Sequence, residues 1–293
     1  MSFAFEPDDG NVERGLRRIA VEQIDKALLE ASAPQADFDA TVHQLRRRCK
    51  NLRGLLQIVR PQLKSFRAED GAIRGIAARL SQARDAAVMV ATFDSLVAEA
   101  RDARGLEQLR DMLTERSRGL TLQIDEQALL REFCAAVLAM RERVGGWRLK
   151  RKKFGAIAGG VEDTYRRMRQ SMRDAAEDGS PETLHAWRKQ AKYHRHHMLL
   201  LRRHAPDMLD GRIKLLAELA DLLGRHHDLA ALVEVLSGRV AGAPAALNLV
   251  MELANERQDG FGEQAFALGR QIAAEKPGAL TERLQRYWAL ADA

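Results

Sequence analysis

The chain has 293 residues, of which 46% are hydrophobic and 30% are charged, so it can bury the core of one large domain or two ordinary ones. Aromatic residues make up only 5% and prolines number seven, a composition that favours helices and argues against an all-β fold. The longest apolar runs are much shorter than the roughly 20 residues of a membrane-spanning helix, and the first ten residues do not resemble a signal peptide. We therefore expect an all-α protein of the cytoplasm.

Apolar periodicity interrupted by glycine and proline predicts a run of helices along the chain. The predicted helices are Glu13–Ala31, Asp39–Arg60, Glu69–Ala100, Leu106–Arg118, Asp125–Gly145, Gly160–Ala176, Pro181–His204, Pro206–Ser237, Pro244–Ala274 and Leu280–Ala291. Ser180 before Pro181 predicts an N-cap with proline at the first helical position. Glycines clustered between residues 145 and 160 indicate a seam within one domain of residues 1–293, between helical halves at residues 13–146 and 156–293.

Positive charge is concentrated in two segments of the chain. The formal net charge is +6, yet residues 141–204 hold 17 Lys or Arg against seven acids and so carry +10. Residues 42–60 hold six Lys or Arg and no acid. Local fields of this size favour a polyanionic partner, whereas a solvated charged face is the alternative that charge alone leaves equally open.

The two basic segments repeat one pattern. A histidine in each half is followed by cations at offsets of 3, 7, 10 and 17 residues. The first basic stripe comprises His43, Arg46, Lys50, Arg53 and Arg60, and the second basic stripe comprises His185, Arg188, Lys192, Arg195 and Arg202. At 100° per residue, each stripe covers an arc of about 100° along about 25 Å of helix.

Two further correspondences support a duplication of the chain. The helix faces opposite the stripes are apolar at matching positions, namely Leu45, Leu52, Leu56 and Val59 in the first half and Trp187, Met198 and Leu201 in the second. Asp85 follows the first histidine by 42 residues and Asp228 follows the second by 43. Together these coincidences predict a duplicated helical unit of about 142 residues.

Four segments in this order resemble the CHAD domain, the conserved histidine α-helical domain. They are residues 42–53, 83–85, 184–192 and 222–228, and the resemblance extends from about residue 13 to the C-terminus, including residues 159–167. It implies two four-helix bundles related by a pseudo-twofold axis, with basic faces that line a shared channel and bind inorganic polyphosphate. Ala83, where many members have glycine, and His194, which takes the position of Leu52, depart from the pattern and concern bundle packing.

The resemblance also implies which side chains face the channel. These are His43, Arg46, Lys50, Arg53, His185, Arg188, Lys192 and Arg195. Further candidate polyphosphate-binding residues are Arg60, Arg84, Arg166 and Arg202. Arginine can grip two phosphate oxygens with its planar fork, and lysine adds a compact charge, so successive turns can engage successive phosphates. The alternative is that these side chains lie over the bundle and face water.

The two histidines of the stripes leave two interpretations open. His43 and His185 could donate to phosphate when protonated, or each could be a neutral core histidine that is hydrogen-bonded to Asp85 or Asp228. We expect the two aspartates to orient a stripe residue, because a buried cation needs a paired acceptor. His194 is expected in the core, since it takes the angular position of Leu52.

The sequence contains few signs of metal binding or catalysis. The remaining histidines form no His-Glu-X-X-His motif, and the chain has no Gly-Lys dipeptide and therefore no P-loop. It also lacks the Glu-X-Glu pattern with which the triphosphate tunnel enzymes often fused to this family hold metal ions. We predict a polyphosphate-binding module without a cofactor, not an enzyme, that could associate with polyphosphate granules. The rivals are a nucleic-acid-binding protein, disfavoured because the stripes carry no aromatic residues for base stacking, and a metal-dependent phosphohydrolase.

Overall fold

The computed structural model describes residues 3–32, 37–82, 85–98, 105–122, 125–238 and 244–291, and within these ranges it contains eleven α-helices and no β-strand. The helices are α1 (Val12–Ser32), α2 (Phe38–Val59), α3 (Phe66–Gln82), α4 (Asp85–Val97), α5 (Leu106–Thr121), α6 (Glu126–Val144), α7 (Ala158–Asp178), α8 (Pro181–Leu201), α9 (Pro206–Ser237), α10 (Pro244–Ile272) and α11 (Pro277–Ala291). The prediction of an all-α fold is confirmed. None of the helices in the described part of the chain is long and apolar enough to cross a membrane.

The predicted helix boundaries agree with the observed ones to within about three residues, with one exception. The helix predicted from Glu69 to Ala100 covers both α3 and α4, and residues 83–84 between them lie outside the described residues. The predicted cap of α8 is confirmed, because the backbone N–H of Thr183 donates to the Ser180 hydroxyl at 3.3 Å.

Two apolar cores hold the helices together. The larger core contains residues from α1, α2, α3, α6, α7, α8 and α11, together with the N-terminal part of α9 and the C-terminal part of α10. The smaller core joins α4 and α5 to the remaining parts of α9 and α10. Both cores therefore include helices from both sides of the predicted seam. The relation of two four-helix bundles by a pseudo-twofold axis stays a prediction.

The apolar faces of α2 and α8 lie in the larger core, as the sequence pattern predicts. The residues of these faces are at most 2% exposed, namely Leu45, Leu52, Leu56, Val59, Trp187, Met198 and Leu201. His194 is fully buried, stacks on Tyr165 at 4.9 Å and accepts a hydrogen bond from Nε of Arg212 at 3.1 Å. Burial holds the pKa of His194 well below its usual value, so this ring is neutral. The prediction of a core histidine is confirmed.

Glycines allow helices of the two halves to approach each other closely. α2 packs against both α7 and α8. A Cβ atom added at Gly54 on α2 would lie 2.6 Å from Cβ of His196 on α8. A Cβ atom added at Gly160 on α7 would lie 1.9 Å from the carbonyl oxygen of Ile58 on α2. The contact between the two halves therefore depends on residues that have no side chain.

We expect Gly160→Ala to lower the free energy of unfolding by about 3 kcal/mol, because the added methyl group must displace the backbone of α2. Gly71→Ala is the matched control, since Gly71 lies in α3 with no atom within 4 Å of the added Cβ. This change should raise the free energy of unfolding by about 0.5–1 kcal/mol through helix propensity. Urea unfolding followed by circular dichroism measures both values. Similar effects of the two substitutions would contradict the close crossing of α2 and α7.

Candidate anion-binding cleft

Two adjoining cavities lie between α2 and α8. The first, of about 600 Å³, also includes residues of α3, α4 and α9, and the second, of about 470 Å³, also includes residues of α9. Their linings share Lys50, Arg188, Lys192, His196 and Asp228. We refer to the two connected cavities as the basic cleft.

The basic cleft contains far more positive than negative side chains. Ten Lys or Arg residues line it against two aspartates in the described part of the chain. The cations are Arg46, Arg47, Lys50 and Arg53 from α2, Arg74 from α3, Arg188, Lys189, Lys192 and Arg195 from α8, and Arg225 from α9. The carboxylates are Asp221 and Asp228. Members of both basic stripes therefore line one cleft.

The structure brings together seven of the predicted site residues and leaves the others elsewhere. The residues that line the cleft are Arg46, Lys50, Arg53, His185, Arg188, Lys192 and Arg195. His43, Arg60, Arg166 and Arg202 line neither cavity. Arg84 lies outside the described residues, as does Ala83, and the side chain of Asp85 is not described either.

The stripes end earlier than the sequence pattern predicts. α2 ends at Val59 and α8 ends at Leu201, so Arg60 and Arg202 follow the helices instead of continuing the stripes. The Arg60 guanidinium lies 5.4 Å from the centroid of the Phe66 ring. Arg202 is exposed and pairs with Asp210 at 2.5 Å. Both arginines are thus engaged outside the cleft.

Arg166 is also engaged outside the cleft. It is exposed on α7 and forms ion pairs at 2.5 Å with Glu162 and Asp163, one turn earlier on the same helix. These ion pairs within α7 give the Arg166 guanidinium acceptors on its own helix, outside the cleft.

Arg188 and Lys192 occupy the centre of the cleft and are only partly exposed. Burial lowers the pKa of Arg188 and lowers the pKa of Lys192 to about 7. The positive charges of Arg188 and Lys50 contribute to the shift at Lys192, and Asp228 opposes it. The cleft therefore places Arg188 and Lys192 where their protonated forms are less stable than in water.

Some donors of the cleft have no acceptor. The Nε atoms of Arg188 and Arg195 are buried and have no hydrogen-bond partner among the described residues. A buried donor without an acceptor costs about 1–3 kcal/mol, and more when it is charged. An anion in the cleft would supply the missing acceptors.

α9 positions the guanidinium of Arg188. A Cβ atom added at Gly224 would lie 3.0 Å from Nη2 and 3.4 Å from Nε of Arg188, so the absence of a side chain there leaves space for the arginine. Asp228, one turn later on α9, supplies the largest attraction to the charge of Arg188. The role of Asp228 in orienting a stripe residue stays a prediction.

Arg53 is held in the cleft lining by contacts with two neighbouring helices. It pairs with Asp70 of α3 at 2.9 Å, and its guanidinium lies 5.7 Å from the centroid of the Tyr193 ring. These contacts connect α2 to α3 and α8. Arg53 therefore also supports the wall of the cleft.

The two stripe histidines are exposed, so neither is a core histidine. His185 lines the cleft, and its ring centroid lies 4.6 Å from that of His227 on α9. Although the residue is exposed overall, its ring loses part of its hydration in the cleft, and this desolvation, followed by the charge of His227, lowers the pKa of His185, so the imidazole is neutral at pH 7.

Some cleft residues were missed by the sequence analysis. Arg47 and Lys189 each follow the stripe histidine of their half by four residues, so this repeated offset was a usable signal. Arg74 reaches the cleft because α3 packs beside α2, and residue spacing does not encode that arrangement.

No group of three or more His, Cys, Asp or Glu residues in the described ranges is arranged to hold a metal ion. Cys49 lines the first cavity, but burial raises the pKa of its thiol to about 12, so the thiol stays protonated at pH 7. The described lining combines ten cations with two carboxylates and therefore attracts negative charge.

We expect Lys192→Met to stabilise the empty protein at pH 7 by roughly 1–3 kcal/mol, because it removes a partly buried charge among other cations. In the wild type, Lys192 is protonated in both the folded and the unfolded chain below pH 7. In this range, burying the charged amine lowers the free energy of unfolding by its full amount. Between pH 7 and the ordinary pKa of 10.5, only the unfolded chain keeps the proton, so the free energy of unfolding rises with pH. In Lys192→Met, the free energy of unfolding should not show this rise between pH 7 and pH 10.5.

Urea unfolding at pH 7 and pH 9 measures the effect, with Lys189→Met as the exposed control, which should change the free energy of unfolding by less than about 0.5 kcal/mol. A Lys192→Met protein less stable than the wild type at pH 7 would show that the charge at this position is not destabilising.

Comparison with known proteins identifies the family. Residues 18–237, which are 220 of the 293 residues, match the CHAD domain. The crystal structure of the CHAD domain from the plant Ricinus communis resembles this chain with a TM-score of 0.57 and 18% sequence identity, over 89% of each chain. At this identity the likeness shows a common fold alone. No curated protein matches the chain. With the match extending over most of its length, the chain belongs to the CHAD domain family.

Proposed function

We propose that this protein binds inorganic polyphosphate in the basic cleft and does not turn it over. The observation that carries the proposal is the meeting of both basic stripes in one cleft, with ten cations against two carboxylates. Membership of the CHAD family supports the same ligand, because the family is linked to polyphosphate.

The chemistry of polyphosphate suits the donors of the cleft. The polymer offers a line of anionic oxygens with about one negative charge per phosphate, and it has no bases or sugars to be recognised. Arg46 and Lys50 on α2 and Arg188 and Lys192 on α8 line the same cavity, so a polyphosphate chain in it would contact cations from both helices. Bound anion would also relieve the repulsion among these cations, so binding should stabilise the fold.

A nucleic-acid ligand is less well supported by the same lining. Proteins that bind single strands usually stack bases on exposed aromatic rings. Among the described residues that line the cleft, Tyr193 alone is a Phe, Tyr or Trp. It is only 8% exposed and lies beside Arg53. The cleft therefore offers charge without a stacking surface.

This function fits a scaffold or targeting module that associates with polyphosphate granules in the cytoplasm. A protein that holds the polymer without cleaving it would remain attached while the polymer persists. Reversible attachment would follow from the salt sensitivity of contacts between charged groups.

Competition binding tests the choice of ligand. Long-chain polyphosphate carrying a fluorophore is bound to the full chain and then challenged with unlabelled polyphosphate, single-stranded DNA or duplex DNA at equal phosphate concentration. We expect only polyphosphate to displace the label efficiently. Displacement by either DNA at the same concentration would favour the nucleic-acid alternative. Incubation with polyphosphate and Mg²⁺ or Mn²⁺ should release no phosphate, and chain shortening would instead favour a phosphohydrolase.

Removing charge from either wall should weaken binding. We expect Arg46→Gln with Lys50→Gln, and separately Arg188→Gln with Lys192→Gln, to raise Kd for polyphosphate at least about tenfold. Each pair should lower the slope of log Kd against log salt by about 1.4, since roughly 0.7 counterions are released per neutralised charge of a single strand. Fluorescence titrations at several salt concentrations measure both quantities.

Arg60→Gln with Arg202→Gln is the matched control, because these residues have the same spacing in the stripes but line neither cavity. It removes two charges as well and should leave Kd and the salt slope nearly unchanged. If only one of the two substituted pairs, on α2 or on α8, weakened binding, the result would contradict a shared cleft. An equal loss in the control would show that the ligand follows net charge and not the cleft.

A further inference from the structure

Lys192 has an unusual position among the lysines of this protein. It lies between the two cavities and lines both of them, while its side chain is only partly exposed. Lys189, one turn earlier on α8, is exposed and lines only the first cavity. An amine in the centre of a cationic cleft has a protonated form that its neighbours repel.

The neighbours of Lys192 are suited to hold a phosphate group beside this amine. Arg188 precedes it by one turn, and its buried Nε has no acceptor among the described residues. Lys50 lies in the lining of both cavities on the opposite helix. A small phosphate compound held by these two cations would present the rest of its molecule to the amine of Lys192.

We propose that Lys192 is a modification site that is acylated by acyl phosphates. These compounds join a phosphate, which the cleft can hold, to a carbonyl carbon that a neutral amine can attack. The proposal rests on the anion-binding role of the cleft that we propose above, and it adds a second class of ligand and a covalent outcome.

The reaction balances without any further reagent. The Nζ lone pair of Lys192 attacks the carbonyl carbon, and a C–N bond forms while the bond between that carbon and the phosphate oxygen breaks. Inorganic phosphate leaves with the bonding electrons, and the proton lost from the amine goes to the departing phosphate or to water. Arg188 and Lys50 can stabilise the negative charge that grows on the phosphate as it leaves.

The amine must be neutral to react, and the surroundings of Lys192 favour that form. Burial is the largest cause of its lowered pKa, of about 7, and the charges of Arg188 and Lys50 add to it. The titratable or charged groups in the cleft lining are Arg46, Arg47, Cys49, Lys50 and Arg53 on α2, Arg74 on α3, His185, Arg188, Lys189, Tyr193, Arg195 and His196 on α8, and Asp221, Arg225, His227 and Asp228 on α9. The excess of cations in this set disfavours the protonated amine.

Acylation would change the binding properties of the cleft. The modified side chain is an amide, which is longer by the acyl group and has lost the positive charge. The cleft would lose one of the three cations that line both cavities, so the modified protein should bind polyphosphate more weakly. Bound polyphosphate should in turn protect Lys192, because it occupies the cleft and favours the protonated amine.

Acetyl phosphate is the probe for the test. The full chain is incubated with it between pH 6 and pH 9, and the acetylation rate of each lysine is followed by peptide mass spectrometry. At pH 7 about half of an amine with a pKa of 7 is neutral, against less than about 0.1% of an ordinary lysine, and the lower nucleophilicity of the weaker base offsets only part of this gain. We expect Lys192 to react on the order of tenfold faster than Lys189 at pH 7, with a rate that levels off above that pH.

A second reagent and a competitor separate the effect of phosphate binding in the cleft from the reactivity of the amine itself. The N-hydroxysuccinimide ester of acetic acid carries no phosphate, so the preference for Lys192 over Lys189 should be smaller with this ester than with acetyl phosphate. Polyphosphate should slow acetylation of Lys192 at least tenfold while leaving Lys214, which is exposed on α9 and lines neither cavity, unaffected.

The possible results distinguish the two proposals. If polyphosphate binds but Lys192 reacts no faster than Lys189, the modification site is wrong and the proposed function stands. If Lys192 reacts preferentially but polyphosphate neither binds nor protects it, the proposed function is wrong and the modification site stands. Lys192→Gln, which resembles the acylated side chain, should bind polyphosphate more weakly than Lys192→Arg. Equal binding by these two variants would overturn the effect of acylation on the cleft.

Discussion

The mutual repulsion of cations on α2 and α8 is the constraint on which the site depends. Eight Lys or Arg residues from these two helices line one cleft, and like charges at such positions oppose the approach of the helices. Apolar packing behind each helix and the close contact of Gly54 with His196 hold the helices together. This packing opposes the repulsion among the cations and positions both helices at the cleft.

The two walls of the cleft are related by sequence but differ in structure. Lys50 on α2 is exposed, whereas Arg188 and Lys192 on α8 are partly buried. Part of the difference comes from α9, where Gly224 leaves space for the Arg188 guanidinium. The histidines differ in the same way, because His185 lines the cleft and His43 does not. The two walls therefore differ in detail, and α8 carries the buried Nε atoms of Arg188 and Arg195 that have no acceptor among the described residues.

Much of the fold and the centre of the site could be predicted from the sequence. Helix periodicity has a local cause, so the basic and apolar faces of α2 and α8 followed from residue spacing alone. The prediction that Arg60 and Arg202, at an offset of 17 residues, belong to the site was wrong, because both lie beyond the helix ends. There, neighbouring groups such as Asp210 determine the direction of the side chain. Arg74 and the sharing of both cores across the seam depend on how helices pack, and the spacing of residues within one helix contains no information about this.

The lowered basicity of Lys192 and the binding of anions are two sides of the same electrostatic arrangement. In the empty cleft, burial and the surrounding cations favour the neutral amine. A polyanion reverses this preference, because its negative charge stabilises the protonated form, so binding near neutral pH takes up a proton. Without a bound anion, the neutral form of this amine would be a nucleophile, and with a bound anion the protonated form would be a cationic contact. With a pKa of about 7, both forms are present near neutral pH, and a bound anion would shift the balance between them.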